Sequence, residues 1–259
     1  MDVRTYNRTA WNRQVESGNE WTVPVGPDVV TAARQGHWQV LLTPTVPVPH
    51  RWFPPMPGCD VPCLASGGGQ QGPVFAAAGA NVTVLDNSPR QLEQDRLVAE
   101  RDGLAITTIE GDMADLSMFP DDSFDLVFHP VSNVFAAAVR PVWIEVARVL
   151  RRGGVLLAGI MNPVVYIFDT DLAEEKGILE VRYRLPYSDL NSKSPEALQR
   201  QIGQGWPLEF SHSLEDQIGG QTDAGLLIAG LYEDTYPPKD PYPLAKYMPM
   251  FIATRAIKP

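Results

Sequence analysis

The chain has 259 residues, 44% of them hydrophobic and 20% charged, with a net charge of −10 and a pI near 4.8. That length buries a full core in one elaborated domain, and the acidity repels a phosphate backbone, so no nucleic-acid partner is expected. No apolar run approaches the roughly 20 residues of a membrane helix, Met1 to Asn7 lack a basic-then-apolar leader, and Cys59 and Cys63 have no histidine pattern beside them for a metal; the expectation is a cytoplasmic protein with no membrane or metal partner.

In chain order, residues 1 to about 25 carry Tyr6, Trp11 and Trp21 among polar neighbours with no sustained period. They read either as an arm packed over a cleft or as a helix laid outside a sheet. Gly26 to Gly36 suits a short helix, with Pro27 in its first turn and Gly36 beyond its last. Thr43 to Gly58 is rich in proline, which excludes a helix or a central strand. It is read as an extended connection, with Trp52 and Phe53 tucked against the fold.

From Val61 onward strands and helices alternate. Strands are expected near 61–65, 81–85, 105–109, 124–128 and 154–160, and helices near 73–79, 88–102 and 136–150. Such alternation implies a parallel sheet covered on both faces, with ligands at the carboxyl ends of the strands. The first strand runs into Ala65-Ser66-Gly67-Gly68-Gly69-Gln70-Gln71-Gly72, a turn whose backbone a ligand can approach and whose N–H groups open a helix. The second strand ends at Asp86, where a carboxylate would hold ribose hydroxyls. The glycine spacing alone suits either a dinucleotide or the shorter loop that cradles S-adenosylmethionine.

Three further motifs follow: Glu110-Gly111-Asp112-Met113-Ala114 after the third strand, Asp121-Asp122-Ser123-Phe124-Asp125-Leu126-Val127-Phe128-His129 along the fourth, and Arg151-Arg152-Gly153-Gly154-Val155-Leu156-Leu157 entering the fifth. In this order and spacing, over roughly Asp60 to Asn162, the chain resembles the class I S-adenosylmethionine-dependent methyltransferases. The family usually has an acidic residue at the start of the glycine motif, where this chain has Cys63, Ala65 and Ser66. The resemblance implies an α/β, Rossmann-like fold: a seven-stranded, mostly parallel sheet with helices on both faces and an antiparallel last strand inserted between the fifth and sixth.

It also implies S-adenosyl-L-methionine as cofactor and assigns site residues. Ala65, Ser66, Gly67 and Gly69 would lie along the methionine and ribose portion, Asp86 would accept from the ribose hydroxyls, and Asn87 and Ser88 would flank the adenosine. Asp112 and Met113 would form the adenine site. His129, at the end of the fourth strand, is a candidate base and cofactor contact, its ordinary pKa lying near neutrality. Tyr6 and Trp11 are candidate substrate residues that would favour a sulfonium through their ring faces. Asp125 reads as a fold brace, and Arg148, Arg151 and Arg152 as a helix end where cations suit the dipole.

After Met161 the rhythm breaks. Ile178 to Leu185 alternates like a strand, Ser194 caps a short helix with Pro195 at its first position, and Ser213-Leu214-Glu215-Asp216 fits a capping box before a helix to about Ala224. Leu226 to Tyr232 and Tyr247 to Ile257 complete the sheet. The expected divisions are an arm and connection covering the cleft (1–58), the cofactor core (59–161), an insertion beside the cleft that selects substrate (162–212) and a completing tail (213–259). The expected activity is methyl transfer to a small-molecule acceptor; the alternatives are a nicotinamide-dependent oxidoreductase, which leaves Gly111-Asp112-Met113 without a role, and a non-catalytic cofactor-binding module.

Overall fold

The structure, a computed structural model, describes residues 1–237 and 242–259. Residues 238–241, within the expected 213–259 tail, lie outside the described residues. Seven strands form one sheet: β1 (Asp60–Leu64), β2 (Asn81–Asp86), β3 (Ile106–Glu110), β4 (Phe124–His129), β5 (Leu150–Met161), β6 (Leu227–Asp234) and β7 (Phe251–Ile257). Their order is β3-β2-β1-β4-β5-β7-β6, as the resemblance implied. β1 to β5 pair in parallel, and β7 lies antiparallel to both β5 and β6.

The strands form where β-branched and apolar residues run together, because a parallel sheet buries both faces. β1 is central: Cys63 pairs with Val84 on one side and Phe128 on the other, and its side chain is wholly buried. Helices α1 (Val3–Glu16), α2 (Pro27–Arg34), α3 (Gln71–Ala77), α4 (Pro89–Asp102) and α5 (Arg140–Val149) cover the sheet and its carboxyl edge. One core half gathers Trp52, Phe75, Val84 and Phe128, and the other gathers Leu85, Leu126's neighbour Val127, Trp143 and Leu156. Asp125 does brace the sheet's amino edge, accepting from the Asp60 N–H at 3.0 Å and pairing with Arg151 at 2.8 Å. No helix among the described residues is long and apolar enough to cross a membrane.

One expectation is corrected, and one left open is decided. Ile178 to Leu185 is not a strand: only Val181 makes an isolated bridge, to Phe168, and the Arg182 and Tyr183 N–H groups both turn to the Ile167 carbonyl. The alternation is there, but the segment pairs with no strand of the sheet, and Val181 stays 67% exposed. The N-terminal arm is a regular helix, α1, capped by Asp2. Its buried positions are Asn7, Ala10 and Gln14, so its inward face carries no apolar period to read.

Downstream come α6 (Thr170–Lys176), α7 (Asp189–Ser192), α8 (Pro195–Gln204) and α9 (Gly220–Asp223). Ser194 caps α8 by accepting from the Ala197 N–H, and Ser213 accepts from the Asp216 N–H at 3.0 Å. A third apolar cluster, including Val134, Tyr166, Tyr187 and Phe251, seats this part of the chain on the carboxyl edge of the sheet.

The 41–44 segment crosses that edge and is pinned there by the Val131 N–H donating to the Leu42 carbonyl at 3.0 Å. It fits because Gly159 on β5 has no Cβ: one built there would stand 2.2 Å from the Leu42 oxygen and 2.9 Å from the Val131 nitrogen. Gly159→Ala is therefore expected to lower stability by about 1–3 kcal/mol, the usual cost of overpacking. Gly203→Ala, inside α8 where an added Cβ meets nothing within 4 Å, is expected to be neutral or to stabilise by up to about 1 kcal/mol. Denaturant titration of the two variants checks both.

Candidate active site

The carboxyl ends of β1, β2, β4 and β5 open into one cavity of about 660 Å³, within the ~300–1,000 Å³ common for small-molecule sites. Its floor is the loop after β1. Ala65 takes φ +45°, a left-handed conformation that an alanine seldom adopts, and its N–H donates to the Leu85 carbonyl at 2.7 Å. The next peptides are pinned by carboxylates: the Gly67 N–H donates to Asp86 Oδ2 at 3.0 Å, and the Gly68 N–H to Asp95 Oδ2 at 3.1 Å. A Cβ on Gly67 would lie 2.6 Å from Gln91 Cβ and 3.0 Å from Asp86 Oδ2. The glycine is required by packing against β2 and α4 before any ligand arrives.

Asp86 sits on the cavity wall with two of its lone pairs engaged, Oδ1 accepting from the Ser88 N–H at 2.8 Å. A carboxylate has room for further donors. Burial pushes its pKa up to about 6, against the lowering effect of those backbone donors. Asp112 Oδ1 accepts from the Ala114 N–H at 2.9 Å, and Oδ2 faces Arg4 Nε of α1 at 3.7 Å.

Helix α1 forms the roof. Val3, Arg4, Asn7, Trp11 and Gln14 all line the cavity, and polar bonds hold the helix down. Asn7 donates to the carbonyls of Phe135 and Leu208 and accepts from the Leu208 N–H; Asn87 donates to the Arg4 carbonyl; Ser88 donates to Asn12. Trp11 meets Phe135 edge-on with centroids 5.0 Å apart.

Ala65, Ser66, Gly67, Asp86, Asn87, Asp112, Met113 and Trp11 are thus brought together around one space. Four expected residues are not on its wall. Gly69 turns away, with φ +70° against Pro24 and the Gln94 carbonyl. Ser88 is spent as the cap of α4, accepting from the Gln91 N–H. Tyr6 is on the outer side of α1, its hydroxyl donating to the Trp206 carbonyl at 2.9 Å.

His129 is the largest correction. Its ring is fully buried behind the wall, with Nδ1 3.1 Å from the Leu64 carbonyl and the ring edge-on to Trp143. Burial holds its pKa down to about 4. It stays neutral and out of reach of the cleft, and Pro130, Val131 and Ser132 form the lip instead.

Sequence reasoning missed Gln91, Trp206, Glu209 and Tyr236, which line the cavity from α4 and the C-terminal half. It also missed Asp95, wholly buried beneath the loop, with Oδ1 lacking a partner among the described residues. The only signal for Asp95 was a carboxylate at an apolar-facing helix position, one turn below Gln91. Among the described residues no group of three or more His, Cys, Asp or Glu is placed to hold a metal.

Burial, with the Asp86 charge adding to it, pushes the Asp95 pKa up to about 8. The native protein therefore binds more protons there than the unfolded chain between about pH 4 and 8, and stability falls as pH rises through that window. The slope is on the order of 1 kcal/mol per pH unit. Asp95→Asn keeps an acceptor for the Gly68 N–H and removes the ionisation. Its stability, followed by denaturant titration in the cofactor-free protein, is expected to fall less steeply than wild type over this range.

Against known families, residues 63–158 match the model of a methyltransferase domain. A protein of Bacillus subtilis (strain 168) named "uncharacterized methyltransferase YbaJ" is 53% identical over 98% of this chain and 97% of its own. The sterol 24-C-methyltransferase erg6 of Aspergillus fumigatus is 36% identical, over 37% of this chain and 25% of its own. Among solved structures, an S-adenosylmethionine-dependent methyltransferase from Mesorhizobium loti has a TM-score of 0.60 at 20% identity, covering 80% of this chain and 94% of that one. With the strand order and the loop after β1 in place, these matches establish that the chain belongs to the class I S-adenosylmethionine-dependent methyltransferases.

Proposed function

We propose that the protein transfers a methyl group from S-adenosylmethionine to a small-molecule acceptor held in the roofed cavity. The observation that carries this reading is the convergence of Ala65 to Gly67, Asp86, Asp112 and Met113 on one space that α1 closes from above. The donor set fits the cofactor. Asp86 offers unused lone pairs to a diol, Met113 an apolar face to a purine, and the acidic balance of Asp86, Asp112 and Glu209 against Arg4 favours a cation.

When bound, S-adenosylmethionine supplies an electrophilic methyl on a positively charged sulfur. The chain's part is alignment and exclusion of water. Asp86 and Asp112 fix the nucleoside, the loop after β1 supports the chain that carries the sulfur, and Trp11, Phe135 and Trp206 exclude solvent. Residues 1–16 serve as the cover, and the 162–212 segment builds the acceptor's end of the cavity. A small acceptor suits this enclosure, since a folded macromolecule would have to displace α1. The oxidoreductase alternative loses its ground because Gly111, Asp112 and Met113 do line the cavity.

Asp86→Asn keeps the side chain's shape and loses its charge. It is expected to weaken S-adenosylhomocysteine binding about 10- to 100-fold, in line with the ~1–3 kcal/mol carried by charged hydrogen bonds. Hydroxyl donors favour the ionised carboxylate, so wild-type affinity should hold above about pH 6, where Asp86 ionises, and fall below it. The variant should lack that dependence. Calorimetry with S-adenosylhomocysteine and NAD at several pH values decides; tighter binding of NAD would overturn the reading, and a screen of methyl acceptors separates an enzyme from a binding module.

A further inference from the structure

The cavity has a second pole, built by the C-terminal half of the chain. Glu209 and Tyr236 line it beside Trp206 and Phe251. Glu209 is held from two sides: Tyr166 donates its hydroxyl to Oε2 at 2.7 Å, and the Glu209 N–H donates to Asp189 Oδ2 at 2.7 Å. Asp189 is fixed in turn by the Tyr187 hydroxyl and Gln201 Nε2, each at 2.7 Å. No hydrogen bond to Glu209 Oε1 is seen among the described residues, and the side chain is half-buried.

We propose that Glu209 is the base of this site, and that the acceptor is a small, largely apolar molecule presenting a proton-bearing oxygen or nitrogen to it. This rests on the methyl-transfer reading above. As the acceptor's bond to hydrogen breaks, the proton passes to Glu209. The freed lone pair bonds to the methyl carbon, whose bond to sulfur breaks with its electron pair left on a neutral thioether. The carboxylic acid then returns the proton to water.

The surroundings suit the task. Burial pushes Glu209 up to about 7; Asp189 and Glu174 raise it further, while Lys193 and the Tyr166 hydrogen bond lower it. Lys193 is shared between Asp189 at 3.7 Å and Asp171 at 3.8 Å. The nearby phenols of Tyr166, Tyr187, Tyr236 and Tyr242 are all pushed above their ordinary value, burial first. They stay protonated and do not compete as bases. A carboxylate that titrates close to neutrality serves as a base at working pH.

The test uses the full chain loaded with S-adenosylhomocysteine, and phenol, benzylamine and anisole as probes whose binding is followed by NMR. In wild type above pH 7, phenol or benzylamine is expected to bind at least about fivefold tighter than anisole, and whichever does so identifies the acceptor as hydroxyl or amine. Glu209→Gln should bind S-adenosylhomocysteine within about twofold of wild type while losing that preference. Tyr166→Phe removes a donor to the carboxylate, so it should keep the preference and shift its onset to higher pH. Equal binding of anisole and both protic probes to wild type, or an undiminished preference in Glu209→Gln, would overturn the assignment of Glu209. Failure of wild type to bind S-adenosylhomocysteine at all would instead overturn the methyl-transfer reading beneath it.

Discussion

Two buried carboxylates hold the loop on which the site depends. Asp86 and Asp95 each accept a backbone N–H of that loop, from Gly67 and Gly68. Both are costly to bury, and their raised pKa values show it. An isolated buried charge is tolerated only where hydrogen bonds compensate it, and here the compensation is also the positioning device. One of the two carboxylates, Asp95, comes from α4 rather than from a strand end. The loop is thus fixed both from the end of β2 and from the helix side.

Much of this was legible in the sequence because parallel strands and their turns announce themselves. β1, β2, β4 and β5 are runs that bury both faces, and the motifs at the strands' carboxyl ends sit at fixed spacings. Ala65 to Gly67, Asp86, Asp112 and Met113 accordingly fall around one cavity. The roof was not legible, since α1 meets the body through Asn7, Gln14 and Asn12, side chains that give no hydrophobic period. Nor was the far end of the cavity: Glu209 and Tyr236 lie far from the motifs in sequence and reach the cavity only through the long path of the chain after β5. His129 shows the opposite failure. Its position at the end of β4 is right for a base, but alternation along a strand sends successive side chains to opposite faces, and its ring goes to the Trp143 side.

The roof is held differently from the sheet. Polar contacts exchange readily with water, and each is worth only about 0.5–1.5 kcal/mol net. Helix α1 is tied down largely by Asn7, Asn12 and Asn87, with Trp11 against Phe135, whereas the sheet beneath is held rigid by packing.

The two thiols offer an internal gauge of that rigidity. Cys59 precedes β1 and Cys63 lies at its centre, beneath the loop, and neither forms a disulfide. Burial pushes Cys59 up to about 12 and Cys63 well above its ordinary range, so neither is a thiolate in the native state and each reacts with an alkylating reagent only through opening. Cys59 reports fraying at the sheet's amino edge, while Cys63 reports rupture of the central strand itself. The chain therefore carries, without any label added, a two-depth probe of whether ligand binding stiffens the loop alone or the whole sheet.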